Sequence, residues 1–235
     1  GDLHMHSDFD IETSHDIGAS SIEELVKTAQ NLNYEYIALT EHNPGASTHN
    51  HKQISDLIRK KKDKIDKLNY SFEKSREKRT LKVFNSLEID IKIDGTLPVN
   101  DEGLNLLDFA LVSIHASFKG NKKAMTERVL TALAHPKVKI FAHPTARKLN
   151  NRGGVDLDWP KIFEFCVKNN KWLEINSSPA RLDLPDILVK EAIEAGVKLT
   201  ISTDAHHKDH LGNMKSGVYV ARRGWATKAS IANAR

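Results

Sequence analysis

Seven short runs of apolar and β-branched residues recur along the chain, at 2–6, 36–42, 81–91, 109–115, 140–144, 172–177 and 198–206. Each has the length of a strand, and most of the stretches between them carry apolar residues at helical spacing instead. Ser21 and Glu24 have the spacing of a capping box, and the helix they open would carry Ile22, Leu25, Val26, Ala29 and Leu32 on one face. Ile54, Leu57, Ile58, Ile65, Leu68 and Phe72 recur at intervals that predict one long amphipathic helix over 52–79. Met125, Val129, Leu130 and Leu133 predict another, ending near His135 and Pro136, and Ile162, Phe163, Cys166 and Val167 the next. Pro185 in a first turn, then Ile187, Leu188, Ala192 and Ile193, closed by Gly196, describe the last. Strand and helix alternate, which predicts a parallel sheet. No internal repeat, low-complexity tract or long linker divides residues 1–235, so a single α/β domain is expected. An open doubly wound sheet and a closed barrel both fit the alternation.

Composition narrows the class without fixing the chemistry. Hydrophobic residues make up 39% and charged residues 28% of the 235, ordinary values for a soluble globular protein. No stretch approaches the roughly 18 apolar residues that span a membrane, and no basic-then-apolar leader marks the chain for secretion. Cys166 is the single cysteine, so no internal disulfide forms and a reducing, cytoplasmic setting is expected. Its neighbours Phe163, Phe165 and Val167 mark it as a core thiol. The net charge is +4, but residues 52–82 alone carry +7 and the remainder −3. A basic helix on a near-neutral body suits a polyanionic partner; a lysine-rich solvated outer face is the plainer account of it.

Twelve histidines are present, and their placement matters more than their number. The first run ends at His4 and His6, the second at His42, and the third holds Glu88. The fourth ends at His115, the fifth at His143, the sixth at Asn176, and the seventh at Asp204 and His206. In a parallel barrel all C-terminal strand ends open on one face, so residues scattered over the chain would converge there. An open sheet would spread them along a line, which favours closure. Residues two apart on a strand point the same way, so His4 and His6 can turn to one metal, and Asp204 and His206 likewise. Imidazole with carboxylate suits zinc, manganese or iron. Several ions close together need a bridging carboxylate, and Glu88 is placed for it. His49, His51, His135, His207 and His210 lack such support.

The segments around these residues, 2–6, 40–42, 86–88, 113–115, 142–144 and 202–206, resemble in order the motifs of the polymerase and histidinol phosphatase (PHP) superfamily. The resemblance covers essentially the whole chain. It implies a distorted (β/α)7 TIM-like barrel with three divalent metal ions, zinc, manganese or iron, that hydrolyses phosphoesters. Carried over, one ion takes His4, His6, Glu88 and Asp204; a second takes His42, His206 and a ligand from the first loop; a third shares Glu88 with His115 and His143. For the loop ligand Asp8, Asp10, His15 and Asp16 qualify; His15 is preferred and Asp16 is the runner-up. Glu41 stands where many relatives have Asp.

Residues 142–147, 173–184 and 221–225 look like the PHP domain fused to bacterial family X DNA polymerases. That resemblance implies 3′–5′ exonuclease or DNA 3′-end processing activity, and either a polymerase domain N-terminal to this unit in a longer chain or a stand-alone relative of such a unit. Hydrolysis would use metal-bound hydroxide. Arg147 and Arg181 are placed to hold phosphate, and Asn176 to orient a ligand or the substrate. Two other functions remain open: a small-molecule phosphomonoesterase of histidinol-phosphatase type, and a non-catalytic module attached to a polymerase.

Overall fold

The computed structural model describes residues 1–74 and 81–234. Eight strand segments, β1 (Asp2–Met5), β2 (Tyr36–Leu39), β3 (Lys82–Asn85), β4 (Glu88–Asp90), β5 (Ala110–Ser113), β6 (Val138–Phe141), β7 (Trp172–Asn176) and β8 (Lys198–Ser202), run parallel in the orders β1-β2-β3 and β4-β5-β6-β7-β8. β3 and β4 are two parts of one path, parted only by Ser86 and Leu87. The join stays laddered: Ser86 N donates to Leu39 O (3.0 Å), Glu88 N to Thr40 O (3.1 Å) and Leu111 N to Leu87 O (2.9 Å). At the other edge, Asp204 N donates to His4 O (2.9 Å) and His6 N to Ala205 O (2.7 Å). The seven expected strands thus form a closed α/β ring, the TIM-like arrangement, and the open-sheet alternative falls away.

Helices α1 (Ile22–Asn31), α2 (His51–Lys74), α3 (Asp101–Asn105), α4 (Lys122–Leu133), α5 (Trp159–Lys168), α6 (Asp186–Glu194) and α7 (Met214–Arg223) surround it. The capping box forms as expected, with Ser21 Oγ accepting from Glu24 N and Glu24 accepting from Ser21 N. Residues 75–79 of the long basic helix lie outside the described residues. Along α2 the buried face includes Ile54, Leu57, Ile58 and Ile65, and the period puts Lys61 on it too. α3 and α7 escape a reading of apolar spacing. α3 has five residues, and α7 packs through Gly217 and Ala221, where few large apolar side chains mark a face. A Cβ at Gly217 would lie 2.1 Å from Ser177 Oγ and 2.6 Å from Ile201 Cγ2, so only glycine lets α7 sit this close to the barrel.

Two large clusters of buried apolar side chains lie between strands and helices. A smaller one, Leu3, Ala38, Leu111, Ile140 and Ala142, draws on four of the strands or their ends. β2 shows the alternation that separates them: Ile37 and Leu39 join an outer cluster and Ala38 the small one. Cys166 lies in the outer core. Among the described residues no helix is long and apolar enough to cross a membrane.

Candidate metal centre

The C-terminal strand ends do converge. His4, His6, Glu88 and Asp204 form one group of potential ligand atoms lying within 4.8 Å of one another, and Glu88, His115 and His143 form another. His6, His42 and His206 form a third group, and His15, His42, Asp90 and His115 a fourth at the mouth. Glu88 ties the first two together. Its Oε2 lies 3.1 Å from His4 Nε2 and 3.4 Å from His6 Nε2, while Oε1 lies 2.7 Å from His143 Nε2 and 3.3 Å from His115 Nε2. Asp204 Oδ1 closes the first group, 3.5 Å from His4 Nε2 and 3.3 Å from His6 Nε2.

His4 and His6 share a group, as their spacing predicts. Asp204 and His206 do not. Both lie beyond the end of β8, and Asp204 has a left-handed backbone (φ 53°), so strand alternation no longer governs where they point. His206 is grouped with His6 and His42 instead. His143 also sits past its strand with positive φ (29°), an unfavourable backbone of the kind that collects at functional sites. His15 enters the mouth group, with its ring centroid 3.8 Å from that of His42. Asp16 lines the cleft beside it, whereas Asp8 and Asp10 belong to none of the groups among the described residues.

The electrostatics divide the site. Glu88 and Asp204 are held well below the ordinary carboxylate range: burial works to raise them, and the imidazoles around them, His4 foremost at Asp204 and His115 and His4 at Glu88, override it. Burial would lower His4, yet Glu174, Glu88 and Asp204 lift it well above its usual value. The field that would hold a proton there equally favours a cation. Burial lowers His15, His42 and His206, and with Arg181 it takes His143 down to about 4. These rings are therefore neutral near pH 7, the form that coordinates metal.

The donor set fits divalent ions on a further count. His4 Nε2, His6 Nε2, His15 Nε2, His42 Nδ1, His206 Nε2 and Glu88 Oε2 are buried polar atoms with no hydrogen-bond partner. Buried polar atoms ordinarily find partners; orphans gathered in one cluster of ligand-type atoms suit divalent cations, which would satisfy them.

Several supporting residues were not singled out from the sequence. Glu174 Oε1 lies 2.7 Å from His4 Nδ1, and its Oε2 accepts from His143 N (2.7 Å) and Asn176 Nδ2 (3.1 Å). Asp90 Oδ1 lies 2.7 Å from His115 Nδ1. Alternation was the available signal: Glu174 is two residues before Asn176, and Asp90 two after Glu88. Behind His6 and His42, buried Lys61 pairs with Glu41 and donates to Leu39 O (2.9 Å) and Ser86 O (2.6 Å). Ser7 Oγ donates to Glu41 Oε1 (2.5 Å). Glu41 Oε1 accepts from Ser7 N as well (3.2 Å), so Glu41 anchors the backbone of the loop after β1.

The cationic residues divide differently from expectation. Arg181 lines the cleft with Nε 3.4 Å from Asp204 Oδ2, and its buried Nη1 has no hydrogen-bond partner. Arg147 turns away, because its Nε donates to Arg181 O (2.9 Å) and its Nη2 to Leu182 O. Lys148 and Arg152 line the cleft in its place. Asn176 donates to Asp204 Oδ2 (3.1 Å) as well as to Glu174. Helix α2 lies apart from the cleft, with Arg59, Lys62 and Lys64 paired to Glu102, Asp66 and Glu23.

Comparison with known proteins extends this picture. The PHP domain family model matches residues 2–178. The "DNA polymerase/3'-5' exonuclease PolX" of Bacillus subtilis (strain 168) is 38% identical over 235 residues, which is all of this chain and 39% of that protein's length. A "Probable phosphatase" of Thermoanaerobacter sp. (strain X514) is 23% identical over 242 residues, covering 99% of this chain and 89% of its own length. Among solved structures, the phosphotriesterase homology protein of Escherichia coli aligns over 98% of this chain and 94% of its own, with 10% identity and a TM-score of 0.44.

Proposed function

This chain belongs to the PHP domain family of metal-dependent phosphoric ester hydrolases, and we propose that residues 1–235 act as a trinuclear 3′–5′ exonuclease or DNA 3′-end-processing phosphodiesterase. The observation that carries the reading is Glu88, whose two oxygens face two different groups of imidazoles. His4, His6, Glu88 and Asp204 would hold one divalent ion, His15, His42 and His206 a second, and Glu88, His115 and His143 a third. Zinc, manganese and iron all suit this mix of nitrogen and carboxylate. Bound there, such ions activate water near neutral pH and neutralise charge on a phosphoryl group.

The protein's own part is positioning. Asn176 and Glu174 fix Asp204 and His4, so the ligand atoms are set before substrate arrives. Arg181 keeps one buried donor unspent beside Asp204, where a planar guanidinium would meet a phosphoryl oxygen. Lys148 and Arg152 extend the positive bank, which suits a polyanion carrying phosphates beyond the scissile one. In a longer chain the unit would accompany a polymerase domain, since the Bacillus subtilis relative is more than twice this length. The second reading, a small-molecule phosphomonoesterase, draws on the Thermoanaerobacter relative, which this chain spans almost fully.

A 5′-labelled oligonucleotide assayed beside a panel of phosphomonoesters decides between them. Stepwise shortening of the oligonucleotide, lost on chelation and restored by added metal, is expected. Turnover of monoesters alone would replace the exonuclease with the phosphatase.

A further inference from the structure

A groove of about 660 Å³ adjoins the metal centre and plays no part in the reading above. Ser14, Ala46, Ile93, Pro98 and Ala116 contribute to its walls, and they come from the loops after β1, β2, β4 and β5. It therefore opens on the same barrel face as the centre. Lys92 and Asp94 stand exposed at its edge, while the rest of its polar framework is turned inward. Buried Arg128 donates to the carbonyls of Ile91, Lys92 (2.9 Å), Ala116 (3.2 Å) and Ser117 (3.1 Å), tying two of the loops together. Asn43 accepts from Asp90 N (2.8 Å) and donates to Pro44 O (3.1 Å). What remains toward solvent is largely apolar, with Ile93 76% exposed.

One layer of side chains separates groove from centre. Asp90 and Ser14 line the groove and also contact the ligand rings: Asp90 Oδ1 lies 2.7 Å from His115 Nδ1, and Ser14 Oγ lies 2.9 Å from His15 Nδ1. A phosphoryl group in the metal cleft would have its nearest substituent at this groove. Lys148, Arg152 and Arg181 come from the loops after β6 and β7, on the other part of the rim. The face thus offers a cationic bank and an apolar bank around one reaction centre. A nucleotide has the matching pattern, an anionic backbone and a flat base with apolar faces.

We infer that this groove is the nucleobase subsite of the exonuclease, taking the base of the 3′-terminal nucleotide against Ile93 and Pro98. The inference rests on the exonuclease reading and adds where substrate selectivity resides. The volume lies within the roughly 300–1,000 Å³ common to small-ligand pockets. Contact through the face of a base predicts tolerance of all four bases, because each has a π-face.

The test compares two 5′-labelled oligonucleotides, one ending at its 3′ side in an ordinary nucleotide and one in an abasic tetrahydrofuran residue, with wild type and Ile93→Asp. Wild type is expected to show a KM about tenfold lower for the ordinary end, in line with one base-packing contact. Ile93→Asp is expected to abolish that preference, and Ala46→Asp, at a second exposed point on the wall, to reduce it. If wild type degrades both ends with equal KM, or Ile93→Asp keeps the tenfold preference, the subsite is overturned and the exonuclease reading stands. If wild type shortens neither oligonucleotide while hydrolysing phosphomonoesters, both fall together.

Discussion

Glu174 holds His4 by its Nδ1, 2.7 Å from Oε1, and leaves Nε2 of the same ring turned to Glu88 and Asp204. A carboxylate behind a ligand histidine fixes the ring and raises its basicity. Glu174→Gln keeps the volume and loses the charge. The expected result is a fall of about 10–100-fold in metal affinity or activity with an unchanged circular dichroism spectrum. Titration of the metal-free protein with Mn²⁺ or Zn²⁺ reads the affinity directly; wild-type affinity in the variant would show that Glu174 is only a core partner.

Asp204→Asn tests the ligand set itself. The amide can still accept from Asn176, but it removes the anion that faces both His4 and His6. Bound metal, measured by elemental analysis after purification without added metal, is expected to fall by at least one ion per chain. Activity should drop beyond the roughly 10–100-fold that outer-shell changes cost. Undiminished metal content with wild-type turnover would remove Asp204 from the centre.

How far the site could be read from sequence follows from which geometry governs each residue. His4 and His6 obey strand alternation, so their shared direction was legible. His143 and Asp204 lie where the chain leaves the strand with positive φ; the family resemblance assigned them to the groups in which they are found, whereas strand alternation alone wrongly paired Asp204 with His206. Glu174 and Asp90 carry the same two-residue spacing from named site residues, a signal that was there to use. Arg147 and Arg181 look alike in sequence, each a few residues past a strand, and only the packing of one guanidinium on the other's carbonyl tells them apart. α7 stayed hidden because its contact is made by glycine and alanine. Closure of the ring depends on hydrogen bonds between residues some 200 positions apart, which no local pattern encodes.

Lys61 occupies an α2 position that the apolar period assigns to the core, and it is fully buried against Glu41. Burial lowers its pKa and Glu41 opposes the fall. Removing one partner strands a buried charge, so Lys61→Met alone is expected to cost about 3–5 kcal/mol in urea unfolding. The double variant Lys61→Met with Glu41→Met should recover much of that loss, since an apolar pair can replace a buried ion pair. A double variant no more stable than the single one would mean that the hydrogen bonds of the pair, from Lys61 to Leu39 O and Ser86 O and from Ser7 to Glu41, and not the charge pair, hold the loop.

Burial pushes the Cys166 thiol up to about 12. At pH 8 its thiolate fraction would be roughly a thousandfold below that of a free cysteine near 8.5. Native protein should therefore stay unlabelled by iodoacetamide over hours and label quickly in urea. The linkage has a sign as well. Between about 8.5 and about 12 the unfolded thiol loses its proton and the folded one keeps it, so this group's contribution to stability falls as pH rises through that window. Rapid native labelling at pH 8 would place Cys166 at the surface.

Arg181 and Arg147 make the sharpest functional contrast, because the first faces the cleft and the second supports it from behind. Arg181 Nη1 is a buried donor without a partner, which is costly unless something accepts from it; a phosphoryl oxygen beside Asp204 would. Arg181→Gln is expected to lower kcat by about 10²–10³, the usual cost of removing one donor to developing charge. Arg147 gives both its contacts to the 181–182 backbone, so it acts through Arg181. Arg147→Gln should lose about 1–3 kcal/mol of stability, with kcat down less than about tenfold and further recovered in Arg147→Lys. Steady-state kinetics with thermal unfolding of the same samples separates the two roles. Equal losses of kcat in the two glutamine variants would mean that both guanidinium groups reach the substrate and that the segment moves when it binds.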